Sequence, residues 1–116
     1  MARVLQRVSA EQELERLEAE IAQEMALALG RSEDRVNLAL AELELHEARY
    51  ERALREGKPA SEVEAHVGAY NAQRAVAKAR LHDLLIHREA IGFRRNQLLY
   101  ELYPIPPKLV HRSDAT

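Results

Sequence analysis

Residues 55–64, running Arg55, Glu56, Gly57, Lys58, Pro59, Ala60, Ser61, Glu62, Val63, Glu64, separate two long runs of helix-forming sequence, and no fold is open to the chain that does not turn there. Gly57 lacks a Cβ and can take the left-handed conformation that closes a helix. Pro59 cannot continue that helix. Ser61 and Glu64, three residues apart, have the spacing of a capping box that would start the next one. A link this short favours antiparallel neighbours, so the sequence predicts a helical hairpin.

The apolar content supports helices throughout. It makes up 47% of the 116 residues and is mostly Ala and Leu, with one Phe, four Tyr and no Trp. Ala and Leu are strong helix formers, whereas the aromatic and β-branched residues that suit strands are scarce. The expected class is all-α, in a single domain over residues 1–116. An Ala-rich seam buries little area per residue, and a lone two-helix hairpin is marginal against its chain entropy. The expectation is therefore a hairpin that dimerises into a four-helix bundle. With no cysteine, neither a disulfide framework nor a thiolate metal site can form. No apolar run approaches the roughly 20 residues that span a bilayer, and residues 1–7 lack the apolar block of a secretory signal, so no membrane partner and a cytoplasmic location are expected.

Along the chain, residues 1–8 read as a short arm whose Val4, Leu5 and Val8 dock on a neighbouring helix. Ser9, with Gln12 three residues on, then caps a first helical arm over 9–56. Leu14, Leu17, Ile21, Met25 and Ala28 share one face of it, and Val36, Leu40, Leu43, Tyr50 and Leu54 continue the stripe, broadened by Leu38, Ala41 and Leu45. A break near 30–32 is an alternative, with Gly30 ending one helix and Ser32 capping the next. A continuous or gently kinked helix is favoured, since one interior Gly costs only about 1 kcal/mol. A second arm over 61–102 carries Val63, Val67, Tyr70, Ala77, Leu81, Leu84, Ile91, Leu98 and Leu102 at the same spacing, with a kink or division near Gly92. Gly68 lies among Ala65, Ala69 and Ala72, a face where another backbone could come close. The residue before Pro104 is pushed out of the helical region, leaving a Pro-rich tail over 103–116 whose Ile105, Leu109 and Val110 fold back.

Net charge is −2 but unevenly spread. Glu11, Glu13, Glu15, Glu18, Glu20 and Glu24 make the first arm acidic, and Arg74, Lys78, Arg80, Arg88, Arg94 and Arg95 make the second basic. Attraction between the arms is the simpler reading. A small regulator contacting nucleic acid through the basic half is the other, and the absence of interleaved aromatic and basic residues weighs against it.

Chemistry-bearing patterns are sparse. Glu42 with His46, Glu62 with His66, and Asp83 with His87 each put an acid and an imidazole on one helix face. They suggest a metal- or small-ligand-binding bundle using His46, His82 or His87, although surface pairing accounts for them as well. The Glu-x-x-His pattern of helical di-iron proteins is absent, as are the zinc-protease motif, a phosphate loop and a nucleophile elbow. Neither catalytic residues nor a cofactor are expected. The densest polar cluster is 87–97, where Arg88, Arg94 and Arg95 can grip an anion beside Phe93 as an apolar anchor. Arg88 and Arg95 can instead reach Glu42, Glu44 or Glu47 across the hairpin, and that structural role is preferred. Pro104, Pro107 and Lys108 match the minimal polyproline ligand pattern, more simply read as a tail packed on its own bundle.

Two segments, LEAEIAQEMALALGR at 17–31 and HREAIGFR at 87–94, the latter followed by YPIP at 103–106, resemble a family of short, uncharacterised bacterial helical proteins classed as a domain of unknown function. The resemblance covers about a third of the chain and implies a small bacterial helical protein; no functional residue comes with it. Together these observations predict a non-enzymatic structural or interaction module. It is expected to form a homodimer through Leu40, Leu43, Tyr50, Tyr70, Leu81 and Leu84, and to offer Arg88, Phe93, Arg94 and Arg95 to a further protein partner.

Overall fold

A computed structural model of the chain describes residues 2–110, and the side chains of residue 7 and of residues 9–110. Three helices follow one another: α1 (Ala2–Arg55), α2 (Ala60–Ala90) and the single turn α3 (Leu99–Leu102). The two long helices pack against each other as an antiparallel hairpin, and no strand occurs among the described residues.

Both ends of the hairpin are closed by glycine in the same way. Gly57 has φ +65°, its amide donates to the Leu54 carbonyl at 3.2 Å, and the Lys58 amide donates to Ala53 at 3.0 Å. This is a Schellman closure, in which the left-handed residue turns two amides back onto orphan carbonyls. Gly92 repeats it with φ +100°, Gly92 donating to Glu89 at 3.1 Å and Phe93 to Arg88 at 2.9 Å. The second long arm therefore ends at Ala90, and the chain turns through 91–98 before α3. The turn resets the helical phase. Leu98 and Leu102, expected on the buried stripe, are 63% and 69% exposed, and Leu99 and Tyr103 face the core in their place.

Two boundaries depart from the sequence reading. α1 begins at Ala2, so residues 2–8 are helix rather than an arm and Ser9 lies inside it. Nothing in that stretch breaks a helix, and Ala, Arg, Leu and Gln all favour one. The docking expected of Val4, Leu5 and Val8 lies outside the described side chains. At Gly30, where a continuous helix is the favoured alternative, α1 runs on unbroken, and Ser32 sits buried in its packed face. Secondly, α2 starts one residue before Ser61, because Pro59 (φ −56°, ψ 150°) is its cap and uses no side-chain hydrogen bond. The Pro59 carbonyl accepts from the amides of Glu62 and Val63 at 3.0 and 3.1 Å. Proline needs no partner for an amide it lacks, and its φ is already set for the turn.

The core lies along the C-terminal half of α1. Val36, Leu81, Leu84 and Leu99 form its centre, with Leu29, Leu40, Leu85, Tyr103 and Ile105 packed around them. Towards the turn it continues through Leu43, Ala53, Val63, Val67 and Tyr70. The tail lies back along α2, held by its backbone. Arg74 Nε donates to the Pro106 carbonyl at 2.7 Å, and the Tyr70 hydroxyl donates to the Pro107 carbonyl at 3.3 Å. Asn71 clamps Leu109 from both sides, Nδ2 donating to its carbonyl and Oδ1 accepting from its amide, each at 2.9 Å. Ile105 folds in as expected, but Val110 is exposed. The tail is thus tied to its own bundle through the carbonyls of Pro106 and Pro107, while Pro104, Pro107 and Lys108 stay exposed.

Asn71→Ala is expected to release the tail end by removing both bonds, at about 1–3 kcal/mol. Faster hydrogen exchange at the Leu109 amide would report it. Burial raises the Tyr70 phenol above its ordinary value of 10, Glu47 pushes the same way, and Arg74 opposes. A raised pKa means that the folded state holds the proton more tightly. The stabilisation is therefore complete below about pH 10 and is lost as pH rises through the folded value. Tail release on alkaline titration should start only above about pH 10, and Tyr70→Phe should remove that pH dependence.

Candidate interaction surface

Helix lengths decide what the hairpin leaves uncovered. α1 has 54 residues and α2 has 31. Both start from the same turn, so α2 runs out while α1 continues. Burial on α1 begins at Ala28, and every side chain over 9–27 is exposed. At about 1.5 Å per residue, residues 2–27 project roughly 40 Å beyond the bundle, which accounts for a molecule 85 Å long and only 22 × 16 Å across.

This overhang is not a polar spacer. The packed face of α1 runs through Ala28, Ser32, Val36, Ala39, Leu43, Tyr50 and Ala53 at steps of three, four and seven. Extended towards the N-terminus, the same steps fall on Met25, Ile21, Leu17 and Leu14. One continuous seam therefore runs along α1. α2 and the tail cover its C-terminal part, and the remainder is bare. Leu14, Leu17, Ile21 and Met25 are 55%, 51%, 43% and 45% exposed. Flanking them, Glu11, Glu13, Glu15, Glu18, Glu20 and Glu24 make no ion pair among the described residues.

The 91–98 turn stands where α1 leaves the bundle. Arg88, at the end of α2, does not reach Glu42, Glu44 or Glu47. Its Nε donates to Asn96 Oδ1 at 2.7 Å, and its guanidinium lies 4.6 Å from the centre of the Phe93 ring. The antiparallel packing explains this. Leu81 and Leu84 lie against Val36, so Arg88 comes opposite the stretch just before Ser32, about three helical turns short of Glu42. Phe93 occupies the position where a Schellman motif usually makes an apolar contact with the residue five before it; here the stem and guanidinium of Arg88 fill that role. Asn96 Nδ2 donates to the Phe93 carbonyl at 3.0 Å and completes the turn. Arg94 and Arg95 are left pointing outward, exposed and without an ion pair or side-chain hydrogen bond among the described residues. Beside them Leu98, Tyr100 and Leu102 form an exposed apolar patch.

The remaining candidate residues fall elsewhere. Leu43, Tyr70, Leu81 and Leu84 are buried within the chain, and Leu40 and Tyr50 are partly buried. The four buried residues pack inside the hairpin, whereas Leu40 and Tyr50 keep part of their surface exposed. The ion pairs Arg52–Glu56, Lys58–Glu56 and Arg80–Asp83 do not carry the expected attraction between acidic and basic arms, since none of the three joins α1 to α2. Glu42 instead accepts from Gln73 Nε2 at 3.2 Å, which also donates to the Ala39 carbonyl at 3.1 Å. His46, His66, His82 and His87 do not converge; among the described residues no three histidine or acidic side chains come together as metal ligands. Among the described residues nothing lies within contact distance of a Cβ placed at Gly68. A groove of about 410 Å³ between α1 and the tail has Leu40, Ile105 and Pro106 as walls and Glu44 and Glu47 at its rim. Among the described residues no helix is long and apolar enough to cross a membrane.

Residue spacing identified the stripe 14–25 as apolar, and nothing in that spacing said it would stay uncovered. No protein-family model matches this chain, and no curated protein or solved structure matches it significantly.

Proposed function

We propose that this protein is a non-enzymatic interaction module that self-associates through the N-terminal overhang of α1. The bare half of the α1 seam is the observation that carries this reading. Four large apolar side chains, about half exposed, stand in one row on a helix that has lost its neighbour. An exposed apolar row of this kind marks an interaction surface rather than an accident of composition. Covering it on two copies is worth roughly 1 kcal/mol per side chain, comparable to the lower end of the cost of association. A second copy supplies a row of matching length and closes the surface by two-fold symmetry. The resemblance of 17–31 and 87–94 to a bacterial family of unknown function brings no activity that competes with this reading.

Sedimentation equilibrium from low micromolar to millimolar concentration tests it. A monomer–dimer equilibrium is expected. A folded monomer throughout would mean that the seam belongs to a different protein, and self-association would be abandoned.

A further inference from the structure

Self-association of two overhangs can be parallel or antiparallel, and charge separates the two. Resting on the dimer reading above, we infer that the overhangs pair antiparallel, so that Glu11 and Glu13 of each copy lie against Arg94 and Arg95 of the other. Over residues 2–27 the overhang carries six glutamates and three arginines, with Arg3 and Arg7 ahead of all the glutamates and only Arg16 among them. Parallel pairing would set these glutamates level with their own counterparts, which is repulsive along the whole contact. It would also leave both basic turns at one end with no acid near them.

Antiparallel pairing removes both defects. Centring the two apolar rows on each other places Leu14 against Met25 and Leu17 against Ile21. Glu11 and Glu13 of one copy then come level with Ala28 and Ala26 of the other. Burial on α1 begins at Ala28 and α2 ends at Ala90, so this is the level of the turn that carries Arg94 and Arg95. Those two arginines and those glutamates make no ion pair within the described chain, and all four are exposed. The interface is isologous, with two equivalent acid–base contacts at its ends and the apolar row between them. The arginines do not build the core or the turn, whose bonds come from Arg88, Asn96 and Gly92. Replacing them therefore leaves the fold in place.

Charge exchange in the full chain, read by sedimentation equilibrium at low salt, tests the arrangement. Arg94→Glu with Arg95→Glu is expected to raise the dimer dissociation constant at least about tenfold, as is Glu11→Arg with Glu13→Arg. The four changes together should bring it back to within about threefold of the unaltered protein. The chain has no cysteine, so Ser9→Cys gives a single site for a spin label, and the two labels should lie roughly 30 Å apart along the dimer axis. A dimer that ignores the arginine changes, or that tightens when Glu11 and Glu13 are reversed, or whose labels sit within about 15 Å, would overturn the antiparallel contact and leave self-association standing. Absence of any dimer in the unaltered protein would overturn self-association itself, and this inference with it.

Discussion

A chain carrying Leu17→Gln and Ile21→Gln should remain monomeric at concentrations where the unaltered protein is dimeric, with its dissociation constant raised at least about a hundredfold. In the proposed dimer, two-fold symmetry would place each change in the interface twice, so four apolar side chains would leave it together. At roughly 1 kcal/mol each, and about 1.4 kcal/mol per tenfold, the loss amounts to two to three orders of magnitude. Glutamine is close to leucine and isoleucine in helix propensity, so α1 itself should persist. Neither residue touches α2 or the tail, since every side chain over 9–27 is exposed. The hairpin should therefore melt as a folded monomer. Sedimentation and circular dichroism on the same sample separate loss of association from loss of fold, and an unchanged dissociation constant would place the interface elsewhere.

Leu84→Ala should act in the opposite place. Leu84 is fully buried and packs with Val36, Leu81 and Leu99 where α1, α2 and α3 meet. Truncating it removes apolar contact and leaves a cavity, at about 2–5 kcal/mol. The packed region is small, and domains of this size have only about 5–15 kcal/mol in total. The urea midpoint should fall by a large fraction or the chain should be unfolded at the outset. Leu38→Ala is the matched control: Leu38 is 61% exposed, and its loss should stay within about 0.5 kcal/mol. If the two variants lost equal stability, the core would not lie where α3 closes it.

The opposite fates of Leu84 and Leu17 show how far a row of apolar residues can be interpreted. Both belong to stripes of the same spacing, and periodicity says only which face of a helix each occupies. Whether that face is covered depends on where the neighbouring helix ends. Of the six leucines and tyrosines read as surfaces for a second copy, Leu43, Tyr70, Leu81 and Leu84 are buried inside the hairpin and Leu40 and Tyr50 partly so, and the row left exposed lies earlier in α1. Arg88 followed the same logic. A seven-residue spacing to Arg95 placed the two on one face of a continuous helix, but the helix stops at Ala90 and Arg88 bonds across its own turn.

What the sequence determined by itself was local. Ala and Leu in helical spacing made the chain all-α, and Gly57 and Gly92 marked the turns, because a residue without a Cβ can adopt positive φ wherever it sits. The turn at Gly57 was legible for that reason, and the end of α2 near Gly92 only as one of two alternatives beside a kink; the return of Ile105 was legible from its apolar side chain beyond a proline. Where α1 began was not, since capping signals at Ser9 compete with a preceding stretch that is itself a good helix former. Only the tertiary structure decided which part of the α1 seam is buried. That depends on the unequal lengths of two antiparallel helices and on a tail clamped by Arg74, Tyr70 and Asn71, contacts separated by more than thirty residues that no local pattern encodes. The bare seam and the two outward arginines are what that packing leaves over.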